Sequence, residues 1–129
     1  MIFEYNINTD KEGFYNITSY VKNAVTKSNI SNGLCVIYCP HTTAGITINE
    51  NTDKDVERDI LKGLEDNFYN RDSFKHFEGN SDAHLKSTVV GVSETIIINN
   101  GILVLGRWQG IYFCEFDGPR NRQFYIKIL

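Results

Sequence analysis

Three histidines are the residues of this sequence that most readily serve catalysis or metal binding. His41 follows an apolar run and opens the polar stretch HTTAGITINE, whereas His76 and His84 lie in residues 69–86, a segment without periodicity. None of them falls within an apolar stripe, where a core histidine would be expected. Three neutral imidazoles suit Zn²⁺ better than Mg²⁺, which prefers oxygen ligands, so a zinc site with one open position is one interpretation.

The spacing of the histidines leaves two alternatives open. Positions 41, 76 and 84 do not form a local metal-binding motif such as HExxH. Loop histidines are often simply solvated, and protonated imidazoles can instead donate hydrogen bonds to a phosphate. Zinc binding would weaken as the pH falls, because the metal needs unprotonated imidazoles, whereas phosphate binding would strengthen.

Carboxylates are concentrated around a predicted helix start and within one apolar strand. Glu50 precedes the helix and could point back toward His41, while Asp53 and Glu57 share a helix face, as acids that complement the helix dipole also do. Glu115 lies in IYFCEF, which is apolar on both faces of a strand. Because a buried carboxylate needs a cationic partner or a raised pKa, Glu115 belongs either to a structural ion pair or to a site.

Four cations lie near the ends of predicted strands: Lys86, Arg107, Arg120 and Arg122. A Gly-Pro turn precedes Arg120, and guanidinium and backbone N–H groups at such a turn suit a phosphate or a carboxylate ligand. An ordinary hairpin with solvated arginines would show the same residues, so both interpretations stay open.

Composition and charge argue against several classes of protein. The 129 residues contain 13 lysines and arginines against 16 acidic residues, giving a net charge of −3, and no basic stripe of the kind that binds nucleic acid. The first residues are acidic rather than basic, and no apolar run approaches the length of a membrane span. We therefore expect a cytoplasmic protein that binds neither nucleic acid nor membrane. The three cysteines are expected to be buried free thiols, because free cysteine behaves as a small hydrophobic residue.

Hydrophobic periodicity predicts the elements that position these residues. Strand patterns cover residues 1–8, 13–17, 34–39, 44–50, 87–99, 102–106, 108–116 and 122–129. Thr18 is the predicted N-cap of a first helix that Gly33 would end, and a second helix covers about residues 52–68. The Asn-Gly pair at residues 100–101 predicts a β-hairpin.

These elements predict an α+β fold. Residues 1–129 would form a single domain in which antiparallel β-sheets are layered against two helices, with an antiparallel meander in the C-terminal half. A small sheet-rich domain leaves strand edges unpaired, and self-association as a homotrimer would cover them.

Several motifs together resemble one protein family. They are HTTA at residues 41–44, NEN followed by an aspartate at 49–53, HFEG at 76–79, HLKS at 84–87 and the C-terminal GRWQGIYFCEFDGPRNR. The segment SETIIINNGILVLGRWQGI matches the most specific signature, except that Arg107 stands where the family usually has threonine. Over nearly its whole length the chain resembles the YjbQ-type family, small proteins described as secondary thiamine-phosphate synthases.

The resemblance implies an activity that joins a pyrimidine pyrophosphate to a thiazole phosphate and releases pyrophosphate, and assembly as a trimer. The residues that it places in catalysis are His41, Glu50, His84, Lys86, Trp108 and Glu115. Those that it places in binding of the phosphorylated substrate are Thr42, Asn49, Gln109 and Arg120, and the metal ligands would be His41, His76 and His84.

The resemblance also sets the expected cofactors and the competing functions. Zn²⁺ is the expected ion at the histidines, and Mg²⁺ would accompany a pyrophosphate substrate and neutralise its charge. Two alternatives are a metal-dependent enzyme that acts on another phosphorylated or anionic small molecule, and a non-catalytic ligand-binding protein. In each case the polar stretch HTTAGITINE would form the wall of a site rather than part of a core.

Overall fold

The computed structural model describes residues 1–129 as eight strands and three helices. The strands are β1 (Ile2–Thr9), β2 (Gly13–Asn16), β3 (Gly33–Tyr38), β4 (Ala44–Glu50), β5 (Ser93–Asn99), β6 (Ile102–Leu103), β7 (Gln109–Glu115) and β8 (Arg120–Ile128). The helices are α1 (Thr18–Ser28), α2 (Lys54–Asn67) and α3 (Ser81–Val90).

The strands form two antiparallel sheets that enclose the main core. The larger sheet has the strand order β1-β8-β3-β5-β6, and the smaller sheet has the order β2-β7-β4. Ile37 and Phe124 of the larger sheet belong to the same buried cluster as Ile46 and Phe113 of the smaller one. The alternation of apolar and polar residues in β4 and β8 therefore places one face of each strand in this core.

Helices α2 and α3 pack on the other face of the smaller sheet. A second buried cluster joins Ala83 of α3 to Tyr112 and Cys114 of β7, and Leu61 and Leu64 of α2 pack against it. The order of layers is therefore larger sheet, smaller sheet, and helices α2 and α3, whereas α1 contributes Val21, Ala24 and Val25 to the main core. This arrangement confirms the predicted α+β class. None of the three helices is long and apolar enough to cross a membrane.

Helix α3 lies where the sequence pattern predicts a loop and the beginning of a strand. The segment carries no apolar stripe with helical spacing and ends in the β-branched Val89 and Val90, which are typical of strands. It nevertheless forms a helix that begins after Asn80 and ends before Gly91, whose φ is 92°. Packing of Ala83 against the smaller sheet outweighs the local preference of the segment.

The predicted hairpin between β5 and β6 is confirmed, but the predicted meander is wrong. Asn100 and Gly101 both have positive φ, at 52° and 75°, as a tight hairpin turn of this type requires. After β6 the chain crosses to the smaller sheet as β7, and β8 then returns to lie between β1 and β3. Hydrophobic alternation in a strand does not specify which neighbour the strand pairs with.

The ends of α1 also differ from the prediction. Thr18 is not the N-cap, because its hydroxyl oxygen accepts a hydrogen bond from the Ile111 N–H at 2.9 Å. The helix ends at Asn29, which has a left-handed φ of 57°, and not at Gly33. Asparagine is the non-glycine residue that adopts this conformation most readily, so it serves as the stop.

Candidate functional site

One cavity brings the three histidines together where β3 leads into β4 and β7 leads into β8. It has a volume of about 360 Å³, and no large apolar side chain lines it. We call it the histidine pocket, and its lining residues are Pro40, His41, Thr42, Thr43, His76, Glu78, Asn80, His84, Arg120 and Arg122. An adjoining cavity of about 400 Å³ shares three of these residues and extends along α3.

Strand register places the parts of the histidine pocket at one end of the two sheets. Ala44 at the start of β4 pairs with Glu115 at the end of β7, and Thr9 at the end of β1 pairs with Arg120 at the start of β8. The loop between β3 and β4 supplies His41, and α3 is fixed to β4 by a hydrogen bond from the Ser87 hydroxyl to the Ala44 carbonyl at 2.7 Å. The lining of the pocket is therefore positioned by both sheets and by α3.

A buried ion pair supports the pocket from behind. The Arg122 Nε donates to Glu115 Oε1 at 2.8 Å, and its Nη2 donates to Glu115 Oε2 and to the Thr43 hydroxyl. Glu115 also accepts hydrogen bonds from the Thr9 hydroxyl and the Asp117 N–H, and it is completely buried. Burial raises its pKa, but these hydrogen bonds outweigh burial, and the pKa of Glu115 lies below its usual value. Glu115 is therefore the ionised structural partner of Arg122.

His41 is held in one orientation by the backbone of β8. Its Nε2 accepts a hydrogen bond from the Gln123 N–H at 2.9 Å, so Nε2 carries no proton and the proton of the neutral ring lies on Nδ1. Burial and the nearby Arg122 guanidinium lower the pKa of His41, which favours this neutral form. His41 can therefore donate its Nδ1–H to a ligand, but it offers no free lone pair to a metal ion in this orientation.

His76 and His84 lie next to each other in the lining of the histidine pocket. Their rings meet edge to face with centroids 5.3 Å apart, and the His76 Nε2 lies 3.8 Å from a carboxylate oxygen of Glu78. However, no group of three or more His, Cys, Asp or Glu side chains is arranged so that it could hold a metal ion. The side chains as arranged do not fit Zn²⁺, so the zinc and magnesium sites gain no support from the structure and stay predictions.

Arg120 is the second guanidinium of the pocket and is anchored by Asp117. Its Nε donates to the Asp117 carbonyl at 2.8 Å and its Nη2 donates to the Asp117 carboxylate at 2.9 Å. Burial raises the pKa of Asp117, but hydrogen bonds from Asn80 and Arg120 outweigh burial and keep that pKa below its usual value. The side-chain hydrogen bonds of Arg120 and Arg122 use only Nε and Nη2, so each Nη1 group has no partner in the protein.

Lys86, predicted to be catalytic, does not line the histidine pocket. Its side chain is 2% exposed and forms an ion pair with Glu12 at 2.9 Å. Positions 84 and 86 of a helix point about 200° apart, so the histidine and the lysine of HLKS face different surroundings. The predicted convergence of His41 and His84 is found, and that of Lys86 is not.

Four other predicted residues lie at the opposite end of the smaller sheet. Glu50 pairs with Gln109 in the β4–β7 register, six residues along β4 from Ala44, which corresponds to about 20 Å. Glu50 therefore does not point toward His41, and it lines a separate cavity of about 260 Å³. We call this the acidic cavity, and it is formed by Phe14, Asn16, Glu50, Asn51, Asp53, Lys54, Glu57 and Tyr112.

The remaining predicted residues at that end make only local contacts. The Asn49 side chain accepts a hydrogen bond from the Glu50 N–H at 2.7 Å, and the Gln109 side chain accepts one from the Gly106 N–H at 2.7 Å. Trp108 is 50% exposed, and the Arg107 guanidinium lies 4.7 Å from its ring centroid. These residues and the histidine pocket do not meet within one chain.

The sequence-based site lacks several residues that line the pocket: Thr43, Glu78, Asn80 and Arg122. The sequence does indicate that Arg122 is buried, because Arg122 alternates with Phe124 and Ile126 on the inward face of β8. A buried arginine needs an acidic partner such as Glu115. Asn80 left no signal that sequence patterning could use, because its place depends on how α3 packs.

Comparison with known proteins decides the family. The model of the family described as UPF0047 protein YjbQ-like matches residues 3–129. The chain belongs to this family. Its resemblance to YjbQ-type proteins, first indicated by the motifs around His41, His84 and Trp108, is thereby confirmed.

Relatives in the UPF0047 family match the chain over nearly its full length. The UPF0047 protein MJ1081 of Methanocaldococcus jannaschii is 54% identical over 100% of this chain and 94% of its own, and the UPF0047 protein YugU of Bacillus subtilis is 49% identical over 94% and 92%. A crystal structure from Clostridium acetobutylicum, described as an uncharacterized conserved protein of the family, superimposes with a TM-score of 0.96 at 55% identity over 98% and 99% of the two chains. The fold of the chain is therefore the YjbQ fold.

Proposed function

We propose that the chain is a cytoplasmic enzyme that acts on a phosphorylated small molecule, and that the histidine pocket holds the phosphate. The observation that carries this proposal is the lining of the pocket. It combines two guanidinium groups whose Nη1 atoms have no protein partner with three histidines and two threonines. A pocket without large apolar side chains suits a compact, highly charged ligand, and guanidinium groups suit phosphate oxygens.

The charge balance of the pocket predicts how it binds an anion. Two arginines face three carboxylates, namely Glu78 in the lining and Glu115 and Asp117 behind it. With neutral histidines the formal charge of this group is therefore −1, so a phosphate would enter together with protons or with a cation such as Mg²⁺.

The specific reaction that we propose is the one implied by the family resemblance. A thiazole phosphate and a pyrimidine pyrophosphate would be joined by formation of a carbon–nitrogen bond while the carbon–oxygen bond to pyrophosphate breaks. Pyrophosphate leaves with the bonding electrons, so the developing charge needs donors such as Arg120 and the His41 Nδ1–H. The buried Glu115–Arg122 pair would keep the second guanidinium in place and would not itself transfer a proton.

We further propose that the chain assembles as a homotrimer. The outer face of the larger sheet carries apolar side chains at least 43% exposed, among them Ile2, Leu34, Tyr38, Ile97 and Ile102. Apolar area of this kind is typical of surfaces that bind another protein. Sedimentation at micromolar concentration tests the proposal, and a monomer would contradict it.

Turnover and binding measurements on matched variants test the proposed function. The wild-type protein should bind inorganic pyrophosphate and convert the two thiamine precursors, and Arg120→Ala should weaken pyrophosphate binding about tenfold or more. Arg107→Ala is the matched control, because it removes an exposed arginine at the opposite end of the smaller sheet. Pyrophosphate binding without turnover would mean that the chain is a ligand-binding protein rather than an enzyme. Equal losses of pyrophosphate affinity in Arg120→Ala and Arg107→Ala would contradict the assignment of the histidine pocket.

A further inference from the structure

A second cavity adjoins the histidine pocket along α3. It has a volume of about 400 Å³ and shares His41, Thr42 and His84 with the histidine pocket. We call it the α3 cavity, and its other lining residues are Ser87, Thr88, Gly91 and Val92. Because the same three side chains line both cavities, one ligand can extend from the histidine pocket into the α3 cavity.

The sequence of α3 explains why the α3 cavity is open. His84, Ser87, Thr88 and Gly91 recur at helical spacing, so they follow one face of α3 and the cavity extends along that face. After His84 these residues have small side chains or none. Gly91 has φ 92° and ψ 164°, a conformation nearly restricted to glycine, and a Cβ added to it would meet no atom beyond its chain neighbours within 4 Å. The protein therefore leaves this space unfilled.

The α3 cavity differs from the histidine pocket in its charge. Two arginines and Glu78 line the histidine pocket, whereas the two shared imidazoles are the only ionisable groups that line the α3 cavity. The hydroxyls of Ser87 and Thr88 already donate to backbone carbonyls, at 2.7 and 2.9 Å. A charged cavity therefore adjoins an uncharged one. This division suits a ligand with a charged group at one end and an uncharged group at the other.

We propose that the α3 cavity is the binding site for the uncharged organic group of a phosphate ester whose phosphate lies in the histidine pocket. The inference rests on the proposed phosphate-binding function, and it names the substrate class as an ester of a small uncharged group rather than an inorganic anion. The volume of about 400 Å³ lies within the usual range for small-molecule sites. The ester linkage would lie where the two cavities meet, beside His41 and His84.

Two phosphonates that differ only in their organic group test the inference. Methylphosphonate and benzylphosphonate carry the same anionic group, and only benzylphosphonate adds a ring that can enter the α3 cavity. Calorimetric titration measures the affinity of the wild-type protein for each phosphonate. We expect benzylphosphonate to bind at least about tenfold more tightly, because its ring is removed from water in the α3 cavity.

Substitutions on α3 assign that preference to the cavity. Thr88→Trp places a bulky ring in the α3 cavity, so the affinity for benzylphosphonate should fall about tenfold while that for methylphosphonate stays within about twofold. Val89→Trp is the matched control, because Val89 is 55% exposed on the same helix and lines neither cavity. Leu85→Trp is a second control, because Leu85 lines a neighbouring cavity of about 340 Å³. Both controls should keep the wild-type affinities.

NMR of the wild-type complex with benzylphosphonate locates the ring directly. Nuclear Overhauser effects should connect the phenyl protons to the methyl groups of Thr88 and Val92, which line the α3 cavity. Contacts of the phenyl protons with Phe74 and Leu85 would instead place the ring in the neighbouring cavity and overturn the inference.

The possible results separate this inference from the proposed function. Equal affinities of the wild-type protein for the two phosphonates, or a preference that Thr88→Trp leaves unchanged, overturn the α3 cavity as a binding site and leave the phosphate pocket intact. Binding of pyrophosphate but of neither phosphonate has the same meaning. Failure to bind pyrophosphate and both phosphonates overturns the inference and the proposed pocket together. If Thr88→Trp does not fold, the wild-type affinities and the NMR contacts still decide.

Discussion

The two ends of the smaller sheet carry polar residues of similar types, but these residues are held in different ways. At the histidine pocket, Arg122 is fixed from behind by the completely buried Glu115, and His41 is fixed by the backbone of β8. At the opposite end, Asn49 and Gln109 bond to their own sequence neighbours. Long-range support of polar side chains is what distinguishes a prepared site from a polar strand end.

The comparison also separates two kinds of carboxylate. Glu115 is completely buried and accepts hydrogen bonds from Thr9 and Arg122 of other strands as well as from the nearby Asp117 N–H, whereas Asp53 caps α2 by accepting from the Asp55 N–H at 2.9 Å. The carboxylates of the acidic cavity at the start of α2 therefore include one with a helix-capping role, as the sequence already allowed. The buried carboxylate instead supports the pocket.

The largest expected effect comes from breaking the buried ion pair. Glu115→Gln leaves the Arg122 guanidinium buried without a counter-charge, so the free energy of unfolding should fall by about 3 kcal/mol. Urea unfolding measures this change. The control is Glu50→Gln at the opposite end, which should change the free energy of unfolding by less than about 0.5 kcal/mol. Equal effects of the two substitutions would show that the two ends are not held differently.

The next effect concerns ligand binding. Substitution of Arg120 by alanine should weaken pyrophosphate binding about tenfold or more while changing the free energy of unfolding little, because Arg120 is paired only with Asp117 at the surface. Calorimetric titration and urea unfolding together test this. A large loss of stability would mean that Arg120 supports the fold rather than a ligand.

The buried carboxylate also predicts how stability depends on pH. Because the pKa of Glu115 is lower in the folded protein than its ordinary value of 4.5, its contribution to stability is present above about pH 4.5 and is lost as the pH falls through the lowered pKa. The free energy of unfolding of the wild-type protein should therefore fall more steeply in this acid range than that of Glu115→Gln. Parallel curves for the two proteins would contradict an ionised Glu115.

The sequence predicts the features that depend on local patterns and does not predict those that depend on tertiary packing. The strand alternation that buries Ile46, the Asn-Gly hairpin and the need of Glu115 for a partner all depend on local patterns, and the structure bears them out. The position of Lys86 could not be predicted in this way. It depends on α3, whose helical state comes from packing on the smaller sheet rather than from its own periodicity.

The misplacement of Glu50 has a different physical cause. Glu50 and His41 are nine residues apart in the sequence, but β4 is extended between them and separates their surroundings by about 20 Å. Sequence proximity therefore grouped residues that the strand keeps apart. The motifs correctly grouped His41, His76 and His84, which are distant in the sequence but line one pocket.

The smallest effect on ligand binding is expected from a substitution at the opposite end of the smaller sheet, away from the histidine pocket. Glu50→Gln should leave pyrophosphate affinity within about twofold of the wild-type value, because Glu50 lines the acidic cavity and not the histidine pocket of its own chain. Calorimetric titration checks this. A loss as large as that in Arg120→Ala would show that, in an assembled trimer, this end completes the pocket of a neighbouring subunit.

Nitrogen-15 NMR of the histidine and arginine side chains during titration with pyrophosphate tests the central claim most directly. We expect the signals of His41, His84 and Arg120 to shift with one common affinity, while those of Arg107 and the Trp108 indole stay unchanged, because the histidine pocket gathers two guanidinium groups and three imidazoles around one cavity. Shifts confined to Arg107 and Trp108, or no shifts at millimolar pyrophosphate, would contradict a phosphate site at the histidine pocket.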